Sequence, residues 1–437
     1  MGIIEERKKR TEWFMDARFG MFIHWGLYAI PGRDAWVRSD EEMSLEDYEQ
    51  YFEEWNPVNY DPKKWAKAAK NAGMKYAVLT TKHHEGFCLF DSQYTDYKST
   101  NTKFGRDIVR EYVDAFRAEG LKVGFYYSLL DWHHPDYPAY GDMYHPDRNN
   151  EKYKDKKRDF NKYLDYLHNQ VRELLTNYGK IDILWFDFSY KGHFAEDWRG
   201  TELVRMVREL QPDIIMNARL EGSGESYGSI MTDDPKVTAG DFTCPEMIIP
   251  MKGLRTPSGT EVPWEACFTM NNCWGYTPMD IHKKTASQIV RKLVECTSKN
   301  GNMILNVSPT AKGDIPKWQL NILEEVGEWM HENSESIYGC RMSEFEKPEW
   351  GRYTQKGNKL YAHVLDECVG AIALPGVKGR VKKARRLCDG SEMLLMTPWV
   401  AKEFPGYEFV NYGKPDYCSF SIESTPDNVI ELTLEDK

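Results

Sequence analysis

Eight short apolar runs alternate with amphipathic stretches along most of the chain, and no other feature constrains its fold so tightly. The runs are Met21–Gly26, Lys75–Thr81, Lys122–Ser128, Ile181–Asp187, Asp213–Arg219, Gly240–Glu246, Trp264–Met270 and Met303–Pro309. Each is too short for a helix, and most are rich in β-branched or aromatic residues, so they read as strands. Between them the helical signals are explicit. Pro62–Lys70 follows Asp61, with an acidic cap and proline in the first turn. Arg106–Glu119 stops at Gly120, and Lys152–Tyr178 stops at Gly179. Trp198–Leu210, Ile281–Ser298 and Pro316–Asn333 complete the series. Strand–helix alternation implies a parallel sheet. Eight such units over about 335 residues suit a barrel with inserted loops. The pattern changes around Gly339. From there short alternating runs follow one another without helical periodicity: Leu360–Leu365, Val369–Leu374, Met393–Met396, Tyr417–Ile422 and Val429–Leu434. The expected fold is therefore α/β: a (β/α)8 TIM-like barrel over 1–338, followed by a small all-β sandwich over 339–437.

Charge and composition narrow the function. The chain has 437 residues, a formal net charge of −11 and 14% aromatic residues. An acidic chain lacks the concentrated basic face that nucleic acid requires. Its one basic cluster, Lys378–Arg386, reads as solvated strands. No apolar stretch is long enough to span a membrane. The first ten residues carry no signal-like apolar run, so a cytoplasmic location is expected. Nine cysteines, without any CxxC or Cys/His zinc spacing, suggest reduced thiols. Oligomeric state is open, and a homo-oligomer is compatible with the sequence.

Barrel chemistry sits at the carboxyl ends of the strands. Polar and aromatic residues recur there: His24-Trp25, Lys82-His83-His84-Glu85, Tyr126-Tyr127-Ser128, Asp187, Asn217-Ala218-Arg219, Glu246, then Trp264-Glu265 with Asn271–Tyr276, and Asn306. A single such histidine would usually be structural. So many coincident polar groups are expensive to bury unless they converge on a polar pocket. Histidine, tryptophan, tyrosine, asparagine and carboxylates together suit a sugar, with hydroxyls to pair and an apolar ring face to stack. No glycine-rich phosphate loop or HExxH motif occurs. His83-His84 and His133-His134 would each direct only one side chain inward, so neither a metal nor another cofactor is expected. Retaining glycoside hydrolysis needs two carboxyl groups about 5–5.5 Å apart. Asp187 ends a strongly apolar strand, where a charge without a purpose is unfavourable, and it is the candidate nucleophile. Glu246 is the first candidate for the acid/base and Glu265 the alternative.

Phe19-Gly-Met-Phe-Ile-His-Trp-Gly26, Lys75–Phe87 with its Lys-His-His-Glu-Gly-Phe ending, and Asn300-Gly-Asn-Met-Ile-Leu-Asn-Val-Ser-Pro-Thr310 together resemble glycoside hydrolase family 29, the α-L-fucosidases. The resemblance covers about Arg18 to Pro316, with a family-like β-sandwich after it. It implies a retaining double displacement that releases terminal α-L-fucose without a metal. It maps the nucleophile to Asp187, sugar-binding histidines to His24, His83 and His84, and an aromatic platform to Trp274. Trp36 and Tyr127 are further wall residues on this reading. The segment Gly240–Glu246 is similar to the branch preferring α-1,3/1,4-linked fucose. One position departs from the family: many members place glutamate directly before the tryptophan of the loop after the first strand, where this chain has Ala35, with Asp34 one residue away. Two other readings stand beside it. One is a retaining glycosidase for a related L-sugar such as L-galactose, and the other a non-catalytic carbohydrate-binding relative.

Overall fold

A computed structural model describes residues 2–223, 226–368, 370–411 and 426–435. Seven parallel strands form the first sheet: β1 (Phe19–Ile23), β2 (Tyr76–Lys82), β3 (Lys122–Ser128), β4 (Ile183–Asp187), β5 (Ile215–Met216), β6 (Glu265–Thr269) and β7 (Asn302–Val307). Their order is β5-β4-β3-β2-β1-β7-β6, so the sheet curls until β5 and β6 face each other across a gap. The expected strand Gly240–Glu246 fills that gap without forming a ladder. It makes isolated parallel bridges, Asn217 with Phe242, Thr243 with Trp264 and Glu246 with Cys267. The barrel is closed, but its sixth position is a threaded segment rather than a strand.

The reason is local. Gly240 has φ 70°, and a β-carbon there would lie 2.3 Å from the Asn217 carbonyl. Pro245 and Pro263 lack the N–H that a continuous ladder needs. A side chain takes over part of that work. Asp241 donates its backbone N–H to Met216 O, and its carboxylate accepts the Met216 N–H at 2.9 Å. Arg10 and Arg208 neutralise that buried carboxylate.

Helices surround the sheet. Ile3–Ala17 precedes β1; Pro62–Asn71, Ile108–Ala118, Phe160–Asn177, Gly200–Leu210, Ala286–Thr297 and Lys317–Asn333 follow in turn. Asp61 caps the Lys63 and Lys64 amides, as its position before Pro62 suggests. Two helices begin later than their periodicity implies. Asp159 caps the amide of Asn161, so the long helix opens at Phe160. Thr285 and Gln288 form a capping box, so the next opens at Ala286. No described helix is long and apolar enough to cross a membrane.

Alternation divides the strand side chains between two cores. Phe22, Tyr76, Tyr126, Trp185, Ile215, Phe242 and Ile304 fill the barrel interior. Met21, Leu79, Phe125, Tyr127, Leu184 and Leu305 pack outward against the helices.

The second sheet is antiparallel, with β8 (Arg341–Met342), β9 (Gly351–Lys356), β10 (Lys359–Val364), β11 (Ile372–Pro375), β12 (Val381–Arg386), β13 (Glu392–Met396), β14 (Tyr407–Asn411) and β15 (Asn428–Leu434). Its order, β11-β14-β13-β12-β15-β10-β9-β8, folds over as a sandwich around Leu360, Ala362, Leu374, Val410, Ile430 and Leu432. The basic run is β12, where Lys382 and Lys383 face solvent and Val381 and Ala384 face the core. The expected strand Tyr417–Ile422 lies outside the described residues. Buried Arg18 ties the two units together, donating to Cys340 O at 2.6 and 3.1 Å and to Gly301 O at 3.2 Å. Arg18 and Gly301 directly precede β1 and β7, so this contact lies at the amino ends of the strands.

Candidate active site

Asp187 closes β4 and is sharply presented. The next residue, Phe188, has φ 84°, a left-handed conformation that costs energy outside glycine. Ser223 Oγ accepts the amides of both Phe188 and Ser189 at 3.2 Å and holds that kink. Asn217 pairs with the Phe186 amide and carbonyl at 3.0 and 2.8 Å, which fixes the backbone just before Asp187. The carboxylate then takes two donors. Tyr126 OH donates to Oδ2 at 2.8 Å, and Arg219 Nη1 donates to Oδ1 at 2.6 Å.

Arg219 is the centre of the arrangement. Its second nitrogen, Nη2, donates to Glu246 Oε2 at 2.7 Å, so one guanidinium spans both carboxylates. Its plane rests 4.5 Å over the Trp185 ring. Burial alone would lower its pKa. The two carboxylates reverse that and raise it, so the group stays charged. Tying both carboxylates to one planar group suits the close pair of a retaining enzyme, about 5–5.5 Å, better than a wide pair with water between. The Glu246 side chain is 39% exposed against 11% for Asp187, so the glutamate opens toward solvent and the aspartate does not.

Three histidines stand around this pair, and hydrogen-bond accounting assigns the tautomer of two. Ser128 Oγ donates its only proton to Leu130 O, so it must accept from His84 Nδ1, 2.7 Å away. Asn306 Nδ2 donates to Trp274 O, which turns Asn306 Oδ1 to accept from His24 Nδ1 at 2.7 Å. Each histidine therefore carries its proton on Nδ1 and keeps a lone pair on Nε2. His84 Nε2 lies 4.0 Å from Asp187 Oδ2. Burial pushes the pKa of both His24 and His84 well below the ordinary value, which keeps them neutral. His83 stacks on Tyr126 with centroids 5.5 Å apart. Neutral acceptors on one side and a fixed cation on the other suit hydroxyl groups around a centre of developing charge.

Aromatic rings frame the opening. Trp274 lies 4.9 Å from the His24 ring, and half-buried Trp36 lies 4.8 Å from His84. Asp34 does not stand in for the missing glutamate. Its Oδ1 accepts the amides of Ala35 and Gly275, both at 2.7 Å, clipping the loop after β1 to the loop that carries Trp274. Ala35 itself is buried.

The structure brings Asp187, Glu246, His24, His83, His84, Trp36 and Trp274 to one end of the barrel. Two expectations are corrected. Tyr127 points outward; its hydroxyl bonds Gln170 Oε1 at 2.8 Å and its ring covers Lys82 Nζ at 4.3 Å. Tyr126 is the inward residue, because neighbours on a strand face opposite ways. Glu265 opens β6 rather than ending it. It is fully buried at the amino end, bonded by Tyr76 OH and by Trp185 Nε1, the latter at 3.3 Å. It therefore cannot serve as acid/base. Arg219 was not singled out from the sequence, although it ends an expected strand just as Asp187 does.

Burial pushes the Glu265 pKa from 4.5 up to about 7. A carboxyl whose pKa is raised on folding contributes stability fully present below 4.5 and lost as pH rises through 7. The loss is about 3 kcal/mol at most. Glu265→Gln should flatten thermal stability between pH 5 and 8 relative to wild type. Parallel pH profiles for the two proteins would refute this.

The model of the α-L-fucosidase family matches residues 4–335. An α-L-fucosidase isoenzyme of Paenibacillus thiaminolyticus is 60% identical, with TM-score 0.94 over 99% of this chain and 100% of that one. A Bacteroides thetaiotaomicron α-L-fucosidase, trapped as a covalent intermediate with 2-fluoro-fucosyl fluoride, is 30% identical with TM-score 0.81, covering 98% of this chain and 96% of that one. The human tissue α-L-fucosidase is 29% identical over 81% of this chain and 75% of its own length. A barrel whose strand ends gather a carboxylate pair and neutral histidines, and whose sequence and shape match these enzymes along nearly its whole length, belongs to the α-L-fucosidase family of glycoside hydrolases.

Proposed function

We propose that this enzyme releases terminal α-L-fucose by retaining double displacement, with Asp187 as nucleophile and Glu246 as acid/base. The observation that carries the assignment of roles is the single guanidinium of Arg219 holding both carboxylates. Asp187 is buried, accepts two hydrogen bonds and is paired with the Arg219 guanidinium, a setting that suits an attacking carboxylate. Glu246 reaches solvent, from which it can gain a proton and against which it can activate water.

The two steps follow from charge. While Asp187 is anionic, a second negative charge beside it is disfavoured, and Glu246 is suited to give a proton to the leaving oxygen. Once Asp187 is esterified to the anomeric carbon, Arg219 has one anionic partner left. Glu246 is then stabilised as a carboxylate and takes the proton of the incoming water. His24, His84 and His83 accept sugar hydroxyl protons, and Trp274 and Trp36 form the walls. We take the catalytic unit as 1–338 and the sandwich as 339–437; a last barrel helix ending at Asn333 and a first sandwich strand starting at Arg341 support this division. A reducing, cytoplasmic setting fits the eight described cysteines, all free thiols.

The test is hydrolysis of p-nitrophenyl α-L-fucoside followed by proton NMR. The first sugar released should be the α-anomer, with β appearing only by mutarotation. Initial release of the β-anomer would exclude the covalent route. An α-1,3/1,4-fucosylated trisaccharide and an aryl α-L-galactoside run in parallel report linkage and sugar preference. The galactoside bears on Ala35, since the loop supplies no carboxylate at that contact.

A further inference from the structure

Two of the three pocket histidines have their Nδ1 proton tied down by a neighbour. His83 has no such bond. Its Nδ1 is sealed from solvent and has no hydrogen-bond partner among the described residues. Its Nε2 has no hydrogen bond among the described residues and is not sealed, and the ring packs against His84 and Tyr126 of the pocket. The carboxylate of Glu85 faces Nδ1, with Oε2 3.5 Å away.

Glu85 is itself unusual. It is 1% exposed, and neither carboxyl oxygen has a hydrogen-bond partner among the described residues. A buried carboxylate without partners is among the most costly groups a fold can carry. Its position is built rather than incidental. A β-carbon on Gly26 would lie 2.5 Å from Glu85 Oε1, so glycine at that turn makes the room for it. Tyr28, whose ring lies 5.2 Å from His83, has a buried hydroxyl without a hydrogen-bond partner among the described residues, as do Tyr48 and Tyr97, while Arg38 Nη2 is ion-paired with Asp147 at 3.9 Å. Of these groups, His83 is the one whose ring also packs against His84 and Tyr126 of the substrate pocket.

We propose that Glu85 is a positioning residue of the glycone pocket: it draws in the Nδ1–H of His83, fixes that tautomer and presents the Nε2 lone pair to a sugar hydroxyl. His83 then matches His24 and His84, and the pocket offers three aligned acceptors. Hydrogen bonds of this kind are commonly long without substrate and tighten when it binds. The kinetic part of the inference rests on the fucosidase reading; the tautomer part does not.

Two measurements test it. Nitrogen-15 NMR of histidine-labelled wild-type protein, with His83→Ala to assign the signal, should show His83 protonated on Nδ1 and bare on Nε2. A proton on Nε2 overturns the proposal, whatever the activity. Glu85→Gln should lower kcat/KM for p-nitrophenyl α-L-fucoside about 10–100-fold, the usual cost of losing the partner that orients a functional histidine. In the His83→Ala background the same substitution should change kcat/KM less than about twofold. An equal loss with and without His83 would show that Glu85 acts elsewhere and would overturn it. Absence of fucoside turnover in the wild type would refute the functional reading and leave the NMR result to decide this one.

Discussion

Replacing Asp187 with alanine is expected to reduce kcat for p-nitrophenyl α-L-fucoside by at least about 10⁴-fold, the scale seen when a covalent nucleophile is removed. The protein should stay folded, since Arg219 keeps Glu246 as a partner at 2.7 Å. The geometry also predicts how activity returns. Azide can occupy the space vacated beside Tyr126 and Arg219 and attack the same face of the sugar. The product would be β-L-fucosyl azide, inverted relative to the substrate. Turnover within tenfold of wild type, or rescue that yields the α-azide, would assign the nucleophile elsewhere.

Glu246→Ala should behave differently, because it affects proton transfer and leaves the attacking group in place. With p-nitrophenolate, a leaving group that needs little protonation, the first step continues and the second slows. We expect kcat to fall about 10²–10⁴-fold, with KM falling alongside it as the fucosyl-enzyme accumulates. A fucosylated trisaccharide, whose leaving alcohol needs the proton, should lose more. Added azide should restore turnover by intercepting the intermediate and give α-L-fucosyl azide, the opposite anomer from the Asp187 variant. Equal losses on both substrates, with no effect of azide, would remove Glu246 from the acid/base role. The pair of anomers is the informative readout, since each variant leaves a different face of the sugar open.

Much of this site was legible before any coordinates. The alternation of short apolar runs with capped helices places the strand ends together, and Asp187, His24, His83, His84, Glu246, Trp36 and Trp274 all belong to segments that such a barrel carries to one rim. Burial cost makes that inference physical: charges and imidazoles at the ends of apolar strands require partners, and the barrel is what lets them partner one another.

What remained hidden was whatever depends on where a strand begins or which way it is turned. Tyr126 and Tyr127 are chemically alike, and only the register of β3 against β4, with Ser128 opposite Asp187, turns the first inward and the second toward Gln170. Glu265 follows a tryptophan in an apolar run much as a catalytic residue might. It is the first residue of β6, opposite Asn302 at the start of β7, and so lies at the wrong end of the barrel. The segment Gly240–Glu246 reads as a strand from composition. Gly240 and Pro245 break its ladder, and the resulting irregular path carries Glu246 to Arg219. Sequence alone determined the strand–helix rhythm and the chemical types at each strand end, because both are local properties of hydrophobic period and residue class. Facing, register and the meeting of Asp187, Arg219 and Glu246 were decided by closure of the barrel, because those contacts join residues 27 to 32 positions apart whose approach no local preference encodes.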